Sequence, residues 1–217
     1  MVILSLPLGI MESAGFDYPR LLDLISRSSA TPDNIPFAPF CDLMIEFSKA
    51  FESMGKALSF AFSDITSKAE IIRGKFKETQ WGGLQEMIRE EVRLGVEREH
   101  GDHPSTARTL LRLMWFLNFL QAIISNLITD KRSKLSAITQ HAYDEALAPH
   151  HPWPVRLGAA IGIKTVPKRA NFVAHLFGAG RTEEEYDAML GRIAEGTLPL
   201  KHALWGFYES NSLTTLP

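Results

Sequence analysis

The segment TARTLLRLMWFLNFLQ, residues 106–121, is apolar around nearly its whole circumference when it is drawn as a helix. A helix of this kind belongs inside a protein, because it has no polar face to turn toward water. It nevertheless carries Arg108 and Arg112, two like charges one helical turn apart. Such a pair is repulsive even at a surface, and burial raises the cost. We therefore expect a buried central helix whose arginines either bind an anion or form buried ion pairs with carboxylates of neighbouring helices.

The hydrophobic periodicity of the rest of the chain is also helical, and neither strand-like alternation nor an Asn-Gly hairpin signal stands out. The pattern predicts helices over 17–28, 37–53, 56–76, 80–98, 104–129, 133–148, 153–164, 168–177, 182–194 and 197–210. Short breaks rich in Pro, Gly or Asp separate them, and none is long enough to join separate domains. We predict one all-α domain over residues 1–217.

Composition limits the possible partners. The chain has 217 residues, of which 45% are hydrophobic and 22% charged, as in an ordinary globular protein. With a formal net charge of −2, the chain lacks the excess positive charge that is typical of proteins that bind nucleic acid. Any anion site must therefore be formed by a local group of cations. The single cysteine, Cys41, suits a reducing compartment.

Membrane signals are weak. The opening residues lack the basic stretch and cleavage site of a secretory signal, and polar residues such as Asn118, Gln121 and Ser125 interrupt the most apolar run. The expectation is a cytosolic protein that touches membranes only transiently, from the outside.

Two further polar groups accompany the arginines. Asp64 and Lys68, in FSDITSK (62–68), share one helical face, which also fits a surface ion pair contributing about 0.3–0.5 kcal/mol. His150, His151 and Trp153 lie at the Pro-rich corner of AYDEALAPHHPWPVR (142–156), which also fits a simple turn with a packed indole.

A metal site is not predicted. Two histidine groups deserve consideration, His141 with His150 and His151, and His100 with His103. Neither has a recognisable ligand spacing with a carboxylate as third ligand.

These segments, followed by VPKRANFV (166–173), resemble the glycolipid transfer protein superfamily in order and spacing, over about residues 35–215. The resemblance implies a two-layer, all-helical sandwich that encloses a single lipid pocket. It also implies that the protein moves sphingolipids between membranes without ATP, a metal or any other cofactor, and that it has no catalytic residues.

The resemblance also assigns the head-group residues. Glycolipid-specific members carry Asn at the position of Lys68 and a sugar-stacking Trp at that of Arg112, so this chain resembles the branch that binds ceramide-1-phosphate. Arg offers a planar fork for phosphate oxygens, and Lys adds a point charge. Lys68, Arg108 and Arg112 are thereby assigned to the phosphate. Asp64 is expected to accept from the ceramide amide N–H, and neutral His151 to donate to the amide carbonyl.

Other assignments complete this interpretation. Trp153 is expected to dock on the membrane surface, and the protein is expected to be a monomer. His150 stands where relatives often have Tyr. The candidates for the hydrocarbon pocket are Phe51, Phe60, Leu111 and Phe119.

Three alternatives remain open at this point. One is a lipid sensor or adaptor that uses the same pocket, and another is a carrier of glycolipids. The least favoured is a lipid hydrolase built on Asp64 and His151, since no serine elbow, metal set or phosphate-binding Gly loop accompanies them.

Overall fold

The structure is a computed structural model that describes residues 15–52, 54–55, 59–78 and 81–217. These residues form nine α-helices and no strand, which confirms the all-α prediction. The helices are α1 (Tyr18–Ser29), α2 (Phe37–Glu52), α3 (Ser59–Glu78), α4 (Leu84–Leu94), α5 (Thr106–Thr129), α6 (Leu135–Ala146), α7 (Trp153–Ile163), α8 (Arg169–Phe177) and α9 (Glu183–Ser210), with a short 3-10 helix at Ala148–His150 between α6 and α7.

The predicted helix over 80–98 is too long at both ends. Gly83 precedes the first residue of α4, and Gly95 ends the helix in the left-handed conformation, with φ of 73°. The Gly95 N–H donates to the Val92 carbonyl oxygen at 3.1 Å. Glycine adopts this conformation without a steric penalty, so it ends a helix that apolar periodicity alone would extend.

The predicted break between 194 and 197 is wrong, because α9 continues through Pro199 to Ser210. Proline removes one helical hydrogen bond, but tertiary contacts support this part of the helix. The Gln121 amide of α5 donates to the Ala194 carbonyl oxygen at 2.9 Å and to the Thr197 hydroxyl at 2.5 Å. Side chains of α9 are also buried on both sides of the proline, including Ile193 and Leu200.

Helix α5 lies at the centre of the fold and packs against α3, α4, α6 and α9. By length and composition it is the one described helix that would be long and apolar enough to cross a membrane. Most of its residues are buried by neighbouring helices, as is typical of a core helix.

The first turn of α5 is fixed from two directions. The Ser105 hydroxyl accepts from the Arg108 N–H at 3.1 Å, and the buried Glu91 carboxylate of α4 accepts from the N–H groups of Thr106 and Ala107 at 2.6 and 2.8 Å. A carboxylate at this end satisfies unpaired N–H groups and complements the helix dipole. The segment that carries Arg108 and Arg112 therefore begins at a rigid position.

Candidate functional site

A cavity of about 620 Å³ lies between α3, α5, α6 and α7, and the last residues of the chain form part of its wall. Its large apolar side chains are Phe62, Ile65, Phe116, Phe119, Leu147, Val155 and Ile163. Its polar and amphipathic side chains are Asp64, Lys68, Arg112, Trp115, Thr139, Tyr143, His150 and His151. An apolar wall with a few polar groups suits an amphipathic ligand.

Within the described ranges, the two arginines do not form the buried ion pairs with carboxylate side chains that were considered as an alternative. Among the described residues, the ion pairs do not include Arg108 or Arg112. The Arg108 Nε donates to the main-chain oxygen of Pro217 at 2.5 Å, and Arg112 Nη2 donates to the same oxygen. Burial and the nearby Arg108 lower the pKa of Arg112 to about 10, so its guanidinium stays charged at neutral pH. In the part of the chain that the structure describes, no carboxylate side chain compensates this pair of cations.

Lys68 and Asp64 pair with each other across one turn of α3, as their spacing predicts, and both line the cavity. Lys68 is partly buried, whereas the Asp64 side chain is more than half exposed. Because the paired side chains also line the cavity, a ligand in the cavity can contact both of them on one face of α3.

His151 lines the same cavity and is held by Tyr143, whose hydroxyl lies 2.9 Å from the Nδ1 atom. The pKa of His151 is lowered, first by burial and then by His150 and Lys68, against the opposing effect of Asp64. The imidazole is therefore neutral at pH 7. In the tautomer whose Nδ1 accepts from the tyrosine hydroxyl, the imidazole proton is on Nε2 and can be donated to a ligand acceptor.

Trp115 and Tyr143 are cavity residues that sequence reasoning missed. The Trp115 ring stacks on the His150 ring with centroids 3.7 Å apart, and the Arg112 guanidinium carbon lies 5.0 Å from the Trp115 centroid. Trp115 follows Arg112 by three residues, which places both on one side of α5. This spacing was the available signal, but an aromatic residue in an apolar helix is more often part of the core.

Trp153 begins α7 and is 68% exposed, so it is not packed beneath the corner. Leu157 and Ile161 follow at intervals of four residues and are 53% and 58% exposed. The three side chains form an apolar stripe, called here the α7 stripe. Sequence reasoning found its first member and overlooked the other two.

The four residues expected in the hydrocarbon pocket lie in different places. Phe119 lines the cavity, and Phe51 lines a separate, smaller apolar space between α2, α5, α8 and α9. Leu111 is fully buried in the core and is not among the residues of the cavity wall. Phe60 belongs to α3, but its side chain lies outside the described part of the structure.

The described part of the chain contains no group of three His, Cys, Asp or Glu side chains placed to hold a metal ion. The cavity instead combines guanidinium, ammonium, carboxylate and imidazole groups with a large apolar wall.

Comparison with known proteins places this arrangement in a family. Residues 35–178 match the profile of the family described as Glycolipid transfer protein (GLTP). The ceramide-1-phosphate transfer protein of Danio rerio is 30% identical over 214 residues, which cover 93% of this chain and 98% of the relative. That of Homo sapiens is 31% identical over 172 residues, or 76% of this chain and 79% of the relative.

A solved structure shows the same fold. The crystal structure of human ceramide-1-phosphate transfer protein in complex with 12:0 ceramide-1-phosphate matches with a TM-score of 0.83 and 25% sequence identity, covering 94% of this chain and 100% of that chain. This likeness confirms the helical sandwich expected from the sequence.

Proposed function

Because the chain belongs to the glycolipid transfer protein family, we propose that it binds ceramide-1-phosphate and carries it between membranes. The family consists of lipid transfer proteins, and we extend this to propose that the chain has no catalytic activity. The relatives named above are ceramide-1-phosphate transfer proteins, and one of them is bound to that lipid in its crystal structure.

One observation carries the choice of head group. Arg108 and Arg112 lie on one rigidly anchored helix, and no carboxylate side chain of the described residues forms an ion pair with them. A phosphate monoester offers the charge and the oxygens that two guanidinium groups can bind in a bidentate manner. Lys68 lines the cavity together with Arg112 and adds a third cation, whereas Arg108 is not itself a wall residue and contacts the wall through the Pro217 oxygen that it shares with Arg112. A sugar would leave these charges unpaired.

The polar groups near the phosphate can bind the sphingolipid amide. Asp64 accepts from the amide N–H, and His151 donates from Nε2 to the amide carbonyl. Together they distinguish a sphingolipid from a glycerolipid, which has no amide N–H to donate.

Transfer requires the hydrocarbon chains to leave the bilayer. Each buried CH₂ group contributes about 0.8 kcal/mol, so the escape of a two-chain lipid into water is extremely slow. The apolar wall of the cavity, which includes Phe116 and Phe119, offers an environment that replaces the bilayer.

We propose that the α7 stripe is the membrane contact. Indole rings and leucine side chains suit the water–lipid interface, and Arg156 on the same helix favours anionic head groups by about 1 kcal/mol. The protein then acts as a monomeric, single-domain cytosolic carrier that associates with membranes only transiently.

The proposal is tested by vesicle-to-vesicle transfer of ceramide-1-phosphate, sphingomyelin, glucosylceramide and phosphatidic acid in parallel. Ceramide-1-phosphate is expected to move fastest, and sphingomyelin to move slowly because choline caps its phosphate. Fastest transfer of glucosylceramide would contradict the assignment of Lys68 and Arg112. Tight binding of ceramide-1-phosphate without transfer would indicate a sensor and overturn the carrier role.

A further inference from the structure

The last four residues of the chain occupy the head-group end of the cavity. Thr214, Thr215, Leu216 and Pro217, called here the tail segment, all line it. The main-chain oxygen of Pro217 accepts hydrogen bonds from both Arg108 and Arg112. One oxygen atom thus binds the two groups that the proposed function assigns to the phosphate.

The tail segment is held in place by contacts outside the arginines. After α9, Ser212 turns the chain with a positive φ of 58°, and the Leu213 N–H donates to the Tyr208 carbonyl oxygen at 2.9 Å. The buried Tyr208 hydroxyl in turn donates to the Ala107 carbonyl oxygen of α5 at 2.7 Å. Leu213 and Leu216 are both buried, so apolar anchors stand on either side of the two threonines.

We infer that the tail segment is an internal competitor for the phosphate position, which a ligand must displace from Arg108 and Arg112 before its head group can bind. This inference rests on the proposed function. The oxygen of Pro217 and a phosphate oxygen cannot both take the same N–H donors.

Displacement adds to head-group selectivity. A phosphate monoester replaces the Pro217 oxygen with several charge-assisted hydrogen bonds, which more than offset the contacts that the tail loses. A neutral head group, such as the hydroxyl of ceramide, does not displace these contacts, because it would leave two guanidinium groups without an anionic acceptor. The tail therefore weakens the binding of neutral sphingolipids more than that of phosphorylated ones.

A spin label at Thr215→Cys reports the displacement directly. Cys41 is buried, so the label reacts at the introduced thiol, and Thr215 itself is exposed. Vesicles containing ceramide-1-phosphate are expected to increase the mobility of the label, whereas vesicles containing ceramide leave it unchanged. Unchanged or reduced mobility with ceramide-1-phosphate, under conditions where transfer is measured, overturns the inference and leaves the proposed function standing.

A measurement without lipid distinguishes a failure of the inference from a failure of the proposed function. Arg112→Gln is expected to increase the label mobility without any ligand, and Arg132→Gln, at an exposed arginine outside the cavity, is expected to have no effect. This measurement tests whether Arg112 holds the tail segment in place, even if the natural ligand is another lipid. No change in Arg112→Gln contradicts the inference.

Removal of the tail segment tests its effect on selectivity. A chain lacking Thr214–Pro217 is expected to bind ceramide several-fold more tightly, so that the ratio of ceramide-1-phosphate to ceramide affinity falls. Leu216→Ser keeps the tail segment but weakens its apolar anchor, and it is expected to lower the same affinity ratio. This full-length variant tests the inference even if the shortened chain misfolds. An unchanged ratio in Leu216→Ser, with the melting temperature preserved, overturns the inference.

Discussion

Trp115 and His150 form a parallel stack, with ring centroids 3.7 Å apart and 1° between the ring planes. The Arg112 guanidinium carbon lies 5.0 Å from the Trp115 centroid, so the histidine supports a ring that in turn contacts a cation proposed to bind the phosphate. His150 comes from the corner before α7, whereas the other two residues lie on α5. The stack therefore connects the corner with the proposed head-group site.

His150→Ala is expected to weaken binding of ceramide-1-phosphate about two- to fivefold, because Trp115 and with it Arg112 lose a fixed support. His150→Tyr is the matched control, since a phenol ring can stack in the same place and should restore the affinity. Equilibrium binding to vesicles of graded lipid content measures both. Equal losses in the two variants would show that stacking is not the role of this residue.

Asp64→Val is expected to weaken binding of ceramide-1-phosphate at least about tenfold, because a charge-assisted hydrogen bond to the amide N–H is lost. Binding of phosphatidic acid should change much less, since it has no such N–H. Asp144→Val, at an exposed acid of α6 outside the cavity, controls for the loss of one negative charge. Equal losses for the two lipids would contradict the role of Asp64.

Trp153→Ala is expected to weaken adsorption to vesicles with little change in melting temperature, because the side chain is already exposed. Leu157→Ala should weaken it in the same direction by a smaller amount. Leu94→Ala removes a 57% exposed side chain from the end of α4, outside the α7 stripe, and should leave adsorption unchanged. A marked fall in melting temperature with normal adsorption would instead indicate that Trp153 packs against the protein.

Acid is expected to destabilise the fold through His150 and His151. Burial is the first cause that lowers the pKa of each from its ordinary value of 6.5. The unfolded chain therefore binds more protons just below pH 6.5, and the free energy of unfolding falls as the pH drops toward the folded-state pKa values, below which this contribution levels off.

Urea titrations between about pH 7.5 and 5.5 measure this dependence. The fall in stability should be smaller in His151→Gln than in the parent, because one of the two proton-linked groups is gone. His141→Gln, at an exposed histidine of α6, should retain the parental dependence. If the free energy of unfolding depended on pH equally in His151→Gln and in the parent, the attribution of this dependence to His151 would be contradicted.

Local sequence patterns were sufficient for most of the fold. The apolar run of α5 predicts a long, buried helix, and the structure confirms this. The errors arose where tertiary contacts or glycine outweigh local preference. Gln121 supports α9 beside Pro199, and Gly95 ends α4 earlier than its periodicity suggests.

The site was predictable only in part, since spacing reveals shared helical faces but not contacts between distant segments. Asp64 and Lys68 pair as their separation of four residues predicts. Nothing local to Arg108 or Arg112 indicates that Pro217, more than a hundred residues away, supplies their acceptor. The cavity positions of Trp115 and Tyr143 likewise depend on packing among α5, α6 and the corner before α7.

The most direct test of the central claim is transfer of ceramide-1-phosphate by Arg108→Leu and by Arg112→Leu, with Arg132→Leu as the control for lost charge. Each hydrogen bond from a guanidinium to phosphate contributes about 1.5–3 kcal/mol, so either substitution should abolish transfer. The helical fold should remain, because leucine suits a partly buried position better than an unpaired cation. Loss of transfer in both variants with normal helix content, and parental transfer by Arg132→Leu, is the predicted result. Transfer above half the parental rate in both arginine variants would contradict the claim that this pair binds the phosphate.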